Sequence, residues 1–354
     1  MAYPEIVIDQ AKLAHNTRIV CKKGAEQGIK ISGVTKACLA DEHVARAMVM
    51  GGVEELADSR LENLHKLRAL DLGVPLTLLR IPGLSQVKIT VELADTSLNS
   101  QHEVISALGT EARRLGKVHN IILMVDLGDL REGVLPKEVL PLAREINRIK
   151  GIKLRGLGVN LACYGGVIPT GENLSQLVDL ARIVEQGIGE QLEVISGGNS
   201  SSLGLLFRGE IPKGITNLRI GEGILLGRET INREVIENTY QDAFTLRAEV
   251  VEVQVKPSRP HGIISQDAFG QVPDFEDRGP MVRAIVALGR QDVPAEGIYP
   301  MDSKLRILGA SSDHLIIDAG RKPGITVGDI VHFGLTYGGL LGAMTSPFVN
   351  KRTK

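Results

Sequence analysis

The 354-residue sequence contains no tryptophan, five tyrosines and six phenylalanines. So few aromatic side chains argue against a platform that stacks nucleic-acid bases. The 41 basic residues balance 42 acidic ones, so no overall charge draws the chain toward nucleic acid or an anionic membrane. We therefore expect a small-molecule ligand and no nucleic-acid or membrane partner.

Cysteine is also scarce. Cys21, Cys38 and Cys163 have spacings that fit neither a disulfide framework nor a zinc site. The start of the chain lacks the features of a secretory signal, and no apolar run reaches the length of about 18 residues that spans a bilayer. These absences predict a protein of the reducing cytoplasm. The histidines are scattered, and no metal is expected.

A regular alternation organises the chain up to about residue 225. Short apolar runs are followed by segments of helical period, such as 41–50, 101–115, 136–149 and 173–188. The eight runs lie at 31–36, 54–58, 76–80, 95–98, 121–126, 154–159, 193–196 and 217–220. Eight such units predict an α/β fold with a (β/α)8 TIM barrel. A doubly wound open sheet is the alternative, but no Gly-x-Gly-x-x-Gly segment opens the first helix.

The pattern changes near residue 235, where helical period gives way to alternating apolar and polar residues. The alternating runs lie at 244–255, 281–288, 305–308, 315–318 and 330–333. Alternation of this kind is typical of half-buried strands. We therefore predict a barrel over residues 1–235 and a C-terminal β-rich domain over residues 236–354.

Reactive groups of a barrel lie at the carboxyl ends of its strands. Lys36 ends the first predicted strand, where loss of solvent would lower its pKa and allow a Schiff base. Arg131 follows another strand and can grip a carboxylate with its two-pronged guanidinium. The plainer alternatives are a solvated Lys36 and a loop salt bridge of Arg131 with Asp126 or Asp129.

Two glycine-rich turns follow the last two predicted strands. Ser196-Gly-Gly-Asn-Ser-Ser-Ser202 combines backbone N–H groups with hydroxyls, and Arg219-Ile-Gly-Glu-Gly223 closes the next strand. Neighbouring turns at this point of a barrel are the usual phosphate site, although the serines can also serve as helix caps. A lysine on the first strand and a phosphate site on the last ones predict pyridoxal 5′-phosphate as cofactor.

These motifs resemble those of the alanine racemase family, the barrel-type enzymes that use pyridoxal phosphate. Val34-Thr-Lys-Ala37 is similar to the lysine motif, Val125–Gly133 to the Asp-Thr-Gly segment with its arginine, Gly198-Asn-Ser200 to the phosphate-binding Asn-Ser, and Leu218-Arg-Ile-Gly221 to the Arg-x-Gly motif. Within the family, the chain is most similar to the branch that acts on ornithine. The resemblance extends over nearly the whole chain.

The resemblance implies a role for each matching residue. Lys36 carries the cofactor and moves the α-proton, and Arg131 contacts the substrate carboxylate. Arg219 faces the pyridine nitrogen. The remaining cofactor contacts are implied for Asn199, Ser200, Gly221 and Glu222.

The sequence also departs from the family. Arg290 stands where the family has a tyrosine from the partner subunit that acts as second base, and arginine is a poor base. Cys163 and Tyr164 are candidates for this role because they follow a barrel strand, and Cys38 is another. Asn160 is interpreted as replacing the histidine that supports the ring-facing arginine. Asp292, or an acid of the loop 265–279, is a candidate partner for the distal ammonium of ornithine.

The resemblance therefore predicts a homodimeric racemase that converts L-ornithine to D-ornithine. Racemisation of another amino acid such as lysine, alanine or serine is an alternative. So are a lyase of the D-threonine aldolase type, although its metal-binding His-x-Cys pair is missing, and a non-catalytic protein of pyridoxal phosphate homeostasis.

Overall fold

The computed structural model describes residues 3–272, 274–320 and 324–354. The chain divides into a unit of Gln10–Gln241 and a second unit of Asp242–Lys354, which also includes the start of the chain up to Asp9. The first strand, β1 (Glu5–Ile8), belongs to the second unit because it pairs with two strands there. This division differs from the predicted one, which placed the start of the chain in the barrel and the boundary after residue 235.

The first unit contains a closed barrel of eight parallel strands. Its strands are β2 (Lys30–Val34), β3 (Glu55–Asp58), β4 (Leu76–Leu78), β5 (Thr96–Asn99), β6 (His119–Val125), β7 (Ile152–Val159), β8 (Val194–Ser196) and β9 (Asn217–Ile220). The ring closes where β9 pairs with β2, with Leu218 opposite Ile31. The predicted barrel is confirmed, and the open doubly wound sheet is excluded.

Helices alternate with these strands. They are α1 (Gln10–Ala25), α2 (Glu42–Met50), α3 (Leu61–Ala69), α4 (Val87–Leu93), α5 (His102–Arg114), α6 (Pro136–Ile146), α7 (Gly171–Ile188), α8 (Leu203–Arg208) and α9 (Glu222–Leu226). Side-chain caps begin two of them: Asp41 accepts the N–H groups of His43 and Val44, and Thr170 accepts that of Asn173. No helix in the described ranges is both long and apolar enough to cross a membrane.

Alternation along the strands separates the outer and inner faces of the barrel. Ile121 and Leu123 of β6 pack with Val139 of α6 in the layer between strands and helices. The intervening Ile122 and Met124 therefore point inward, where they form an apolar cluster with Leu98 and Val194.

The second unit is a largely antiparallel sheet. Its further strands are β10 (Phe244–Pro257), β11 (Pro280–Val286), β12 (Ile298–Pro300), β13 (Arg306–Ala310), β14 (Leu315–Asp318), β15 (Ile330–Leu335) and β16 (Asn350–Thr353), and helix α10 covers Tyr337–Thr345. The order is β12-β15-β10-β11-β14-β13, with β1 antiparallel to β10 and parallel to β16. Burial alternates along the start of β10, as expected for a strand with one face in the core.

Candidate active site

Lys36 lies directly beyond β2, in a short 3-10 turn of Lys36–Cys38. The preceding Thr35 donates its hydroxyl to Asp58 Oδ2 at 2.7 Å, and Asn63 Nδ2 donates to Asp58 Oδ1 at 3.0 Å. Asp58 is fully buried at the end of β3, so the turn is fastened to the neighbouring strand. These bonds hold the start of the lysine turn in place.

The Lys36 side chain reaches solvent at the open end of the barrel, yet protein atoms surround most of it. Burial lowers the pKa of the amine, Arg131 adds to this effect, and Cys163 and Asp58 oppose it. A larger share of the amine is therefore neutral near pH 7 than in an exposed lysine, and the neutral form is the nucleophile.

The two glycine-rich turns meet at the hydroxyl of Ser200. Its Oγ accepts the backbone N–H of Gly221 at 3.3 Å and that of Gly223 at 3.1 Å. Gly198 has φ +108°, a conformation that favours glycine, and this lets the chain turn directly after β8. Because the Ser200 oxygen accepts both N–H groups, its own hydroxyl proton can be donated outward, to an anion such as a phosphate.

Glu222 lies between these two N–H groups. Its carboxylate pairs with Arg233, so its side chain is not directed at Ser200. Burial raises the pKa of this carboxyl group, and Arg233 opposes the shift. Only the backbone of Glu222 remains for the cofactor contact that the resemblance implies.

Arg219 lies one residue before the end of β9, with only 5% of its surface exposed. Its Nη2 donates to the carbonyl oxygen of Val159 at 2.8 Å, and its Nη1 donates to Ser196 Oγ. Burial lowers the pKa of Arg219 to about 10, so the guanidinium stays charged at neutral pH. Asn160, which stands where the resemblance has the supporting histidine, contacts Arg131, and Ser196 and the carbonyl oxygen of Val159 hold Arg219.

Arg131 is held on two sides at the end of β6. One side pairs with the Glu132 carboxylate, which raises the pKa of Arg131. In the amide orientation that satisfies Asn160, its Oδ1 accepts Arg131 Nη2 at 2.6 Å and Nη1 at 3.3 Å. The observed ion pair of Arg131 is with Glu132, whereas the plainer alternative placed it with Asp126 or Asp129.

Asp129 joins the Arg131 loop to the loop beyond β7. Its carboxylate is 1% exposed and accepts the N–H groups of Cys163 at 3.3 Å, Tyr164 at 3.0 Å and Val167 at 3.2 Å. Cys163 Sγ lies 3.4 Å from Asn199 Nδ2, whereas the Tyr164 side chain is 76% exposed. The structure thus places Cys163 beside the Asn-Ser motif and leaves Tyr164 turned to solvent.

Asp292 and Arg290 belong to the other unit. Asp292 is 7% exposed and accepts the N–H of Gly289 at 2.8 Å within a turn, and burial raises the pKa of its carboxyl group. Arg290 Nη2 pairs with Glu296 at 2.7 Å and its guanidinium lies 4.8 Å from the centre of the Phe269 ring. Both side chains have structural partners within their own unit.

Sequence reasoning missed Ser196, Glu132 and Asp129 as functional neighbours. Ser196 and Glu132 stood inside the motifs but were not assigned to the arginines that they contact. Asp129 was considered only as a salt-bridge partner. Its bonds to the loop beyond β7 were missed because that loop is more than 30 residues away and no local pattern points to it.

The fold and the site together define a barrel protein with a lysine, two arginines and an anion-accepting turn at the carboxyl end of its strands. Within the described residues, no group of three or more histidine, cysteine, aspartate or glutamate side chains is arranged for a metal ion.

The chain belongs to the alanine racemase family. The sequence profile described as alanine racemase, N-terminal domain, matches residues 8–228. The chain is 46% identical to an ornithine racemase of Acetoanaerobium sticklandii over 354 residues, 99% of each chain. It is 40% identical to a lysine racemase of Thermotoga maritima over 351 residues, 99% of this chain and 98% of the other.

Solved structures show the same fold. An alanine racemase from Bartonella henselae with covalently bound pyridoxal phosphate matches with a TM-score of 0.76 at 18% identity, over 100% of both chains. A D-threonine aldolase from Filomicrobium marinum matches with a TM-score of 0.73 at 13% identity, over 97% of this chain and 89% of the other. At such identities the likeness concerns the fold and not the reaction.

Proposed function

We propose that this protein is a cytoplasmic, pyridoxal phosphate-dependent amino-acid racemase that interconverts L- and D-ornithine. The observation that carries the proposal is the convergence of Lys36, Arg219 and the Ser200 turn at one end of the barrel. Full-length similarity to an ornithine racemase supports this choice of substrate.

The residues at the barrel end fit the cofactor. The Ser200 hydroxyl and the N–H of Glu222 would hold the phosphate, joined by the N–H of Gly221, which in the structure donates to Ser200 Oγ at 3.3 Å. Asn199 shapes the turn through its bond to the N–H of Ser201 at 2.8 Å. Lys36, with its lowered pKa, would take the aldehyde. Bound pyridoxal phosphate supplies an electron sink for the α-carbon of the substrate. Arg219 would face the ring nitrogen and stay charged, because it does not give up its proton.

Arg131 would bind the substrate carboxylate. Glu132 and Asn160 flank its guanidinium and so limit its rotation. Glu132 accepts from Nε and Nη2, so the substrate carboxylate would take the place of Asn160 on the edge formed by Nη1 and Nη2. Paired parallel hydrogen bonds on that edge would orient the carboxylate. The α-C–H bond of the substrate is then held in one direction.

Racemisation needs proton exchange on both faces of the α-carbon. Lys36 would serve one face. Cys163 and Tyr164 are the candidates for the other, and the position of Cys163 beside Asn199 favours the thiol.

The distal ammonium of ornithine requires an acidic partner. Asp292 remains our candidate, because the N–H of Gly289 uses one acceptor site on Oδ2 and a carboxylate has others for an ammonium. As the resemblance implies, we further propose a homodimer in which the β unit of one subunit completes the active site of the other. Lysine is the second candidate substrate, because a lysine racemase is 40% identical.

The test follows the α-proton by NMR in heavy water with single enantiomers of ornithine, lysine, alanine and serine, and the enantiomer ratio by chiral chromatography. Deuterium uptake with inversion of ornithine, and little with alanine, is the expected result. Borohydride should fix the cofactor to wild-type protein but not to Lys36→Ala. Exchange without inversion would contradict racemisation, and no exchange with any amino acid would favour a cofactor carrier.

A further inference from the structure

Arg219 begins a continuous line of hydrogen bonds through the interior of the barrel. Arg219 Nη1 donates to Ser196 Oγ, and Ser196 Oγ donates to Asn217 Oδ1 at 2.5 Å. Asn217 Nδ2 donates to Ser32 Oγ at 2.8 Å, and Ser32 Oγ donates to Glu55 Oε1 at 2.8 Å. The line therefore passes from the carboxyl end of β9 to the start of β3.

Every bond in this line points the same way. At each step the donor is the group nearer to Arg219, and the last acceptor is a carboxylate. Arg155 Nη1 lies 3.3 Å from the other oxygen of Glu55, so the far end is itself paired. A chain of bonds with one direction, running from a cation to an anion, strengthens each of its members.

Burial makes the direction hard to reverse. Ser32 and Ser196 are fully buried, and the Glu55 side chain is 13% exposed. A buried polar group without a partner costs free energy, so turning the Asn217 amide would leave two hydroxyls mispaired. Asparagine does not pass a proton along, and the line therefore orients groups and does not conduct protons.

We propose that this line positions Arg219: Glu55, acting through Ser32, Asn217 and Ser196, holds the guanidinium in one orientation at the carboxyl end of the barrel strands. Val159 O anchors Nη2 and Ser196 anchors Nη1, so the two bonds together fix the plane of the group. The group that Arg219 would face is the ring nitrogen of the cofactor. In this respect the inference rests on the proposed function. Ser196 and Glu55 are positioning residues.

The test compares two ligands of the apoprotein: pyridoxal phosphate, and its 1-deaza analogue, in which C–H replaces the ring nitrogen. Absorbance titration gives both affinities without any turnover. We expect wild-type protein to prefer pyridoxal phosphate and Ser196→Ala to lose about tenfold of this preference, since the bond concerns a charged group. Ser97→Ala is the matched control, because its fully buried hydroxyl lies on another barrel strand, 2.8 Å from His119 Nε2.

A second pair of variants tests the far end of the line. Glu55→Gln keeps the size and an acceptor oxygen but removes the charge, and we expect it to reduce the preference by about threefold, less than loss of the direct contact. Glu193→Gln makes the same chemical change at another partner of Arg155, at 3.4 Å, and should leave the preference unaltered. Circular dichroism checks that each variant folds. If Ser196→Ala does not fold, the comparison of Glu55→Gln with Glu193→Gln decides whether the line positions Arg219.

The outcomes separate the two proposals. If wild-type protein binds neither ligand, the proposed cofactor is wrong. If it binds both equally, Arg219 does not act on the ring nitrogen, and the inference is overturned while the cofactor stands. Wild-type preference in Ser196→Ala and Glu55→Gln, or equal losses in the two controls, would also overturn it.

Discussion

Asp129→Asn should release the loop that carries Cys163. The carboxylate uses Oδ2 for the N–H groups of Cys163 and Tyr164, and Oδ1 for that of Val167. An amide offers one oxygen, so in either orientation at least one of these N–H groups faces an NH2 group. Loss of charge also weakens the bonds that remain.

The expected magnitude follows from these contacts. A hydrogen bond to a charged group contributes about 1.5–3 kcal/mol, so losing one bond and weakening another lowers the free energy of local opening by about 3 kcal/mol. Every 1.4 kcal/mol is a factor of ten, so the amides of Cys163, Tyr164 and Val167 should exchange with solvent roughly 100-fold faster.

Hydrogen–deuterium exchange measured on peptides covering residues 160–167 tests this expectation. Asp126→Asn is the matched control, because Asp126 accepts the N–H groups of Gly128 and Leu130 through Oδ1 alone, and an amide can keep both bonds. Unchanged exchange in Asp129→Asn, or equal acceleration in Asp126→Asn, would refute the reasoning.

Three further expectations concern the barrel unit. A Cβ at Gly156 would lie 1.8 Å from the carbonyl oxygen of Val194, so Gly156→Ala should destabilise the protein by about 3 kcal/mol in urea unfolding, whereas Gly171→Ala, which meets open space, should cost little. Burial lowers the pKa of Lys36, so the rate at which the apoprotein reacts with pyridoxal phosphate should rise with pH and level off below the range of an exposed lysine; a profile like that of free lysine would contradict this. Burial lowers the pKa of His119 to about 4, so the folded state binds fewer protons than the unfolded state between about pH 6.5 and 4, and stability should fall by about 3 kcal/mol as the pH falls through that window. His119→Gln should remove this dependence, and an equal loss of stability in that variant would count against the assignment.

Much of the barrel was predictable because its pattern is local. Each of the eight apolar runs overlaps an observed strand, and the predicted helix at 41–50 begins where Asp41 supplies a cap. β1 was missed because four residues carry little signal, and its partners lie at Arg247 and Asn350, far along the chain. Strand pairing at such separations depends on the whole fold and not on local propensity.

The site was predictable in its parts but not in its connections. Lys36, Arg131, Ser200 and Arg219 were singled out from their places at or after strand ends, a rule that follows from barrel geometry, and their roles stay predictions. Which side chain supports which arginine depends on contacts across the barrel: Ser196 supports Arg219, while Asn160 contacts Arg131.

The pairing of β1 with both β10 and β16 has a consequence for synthesis on the ribosome. β1 is synthesised before the two strands that flank it, which begin at Phe244 and Asn350. Most strands of the barrel pair with the next strand in the sequence, so the barrel unit can be complete while the backbone of β1 is still unpaired. The β unit therefore forms late during translation, and a nascent chain stopped before β10 should hold a finished barrel with a loose leading segment.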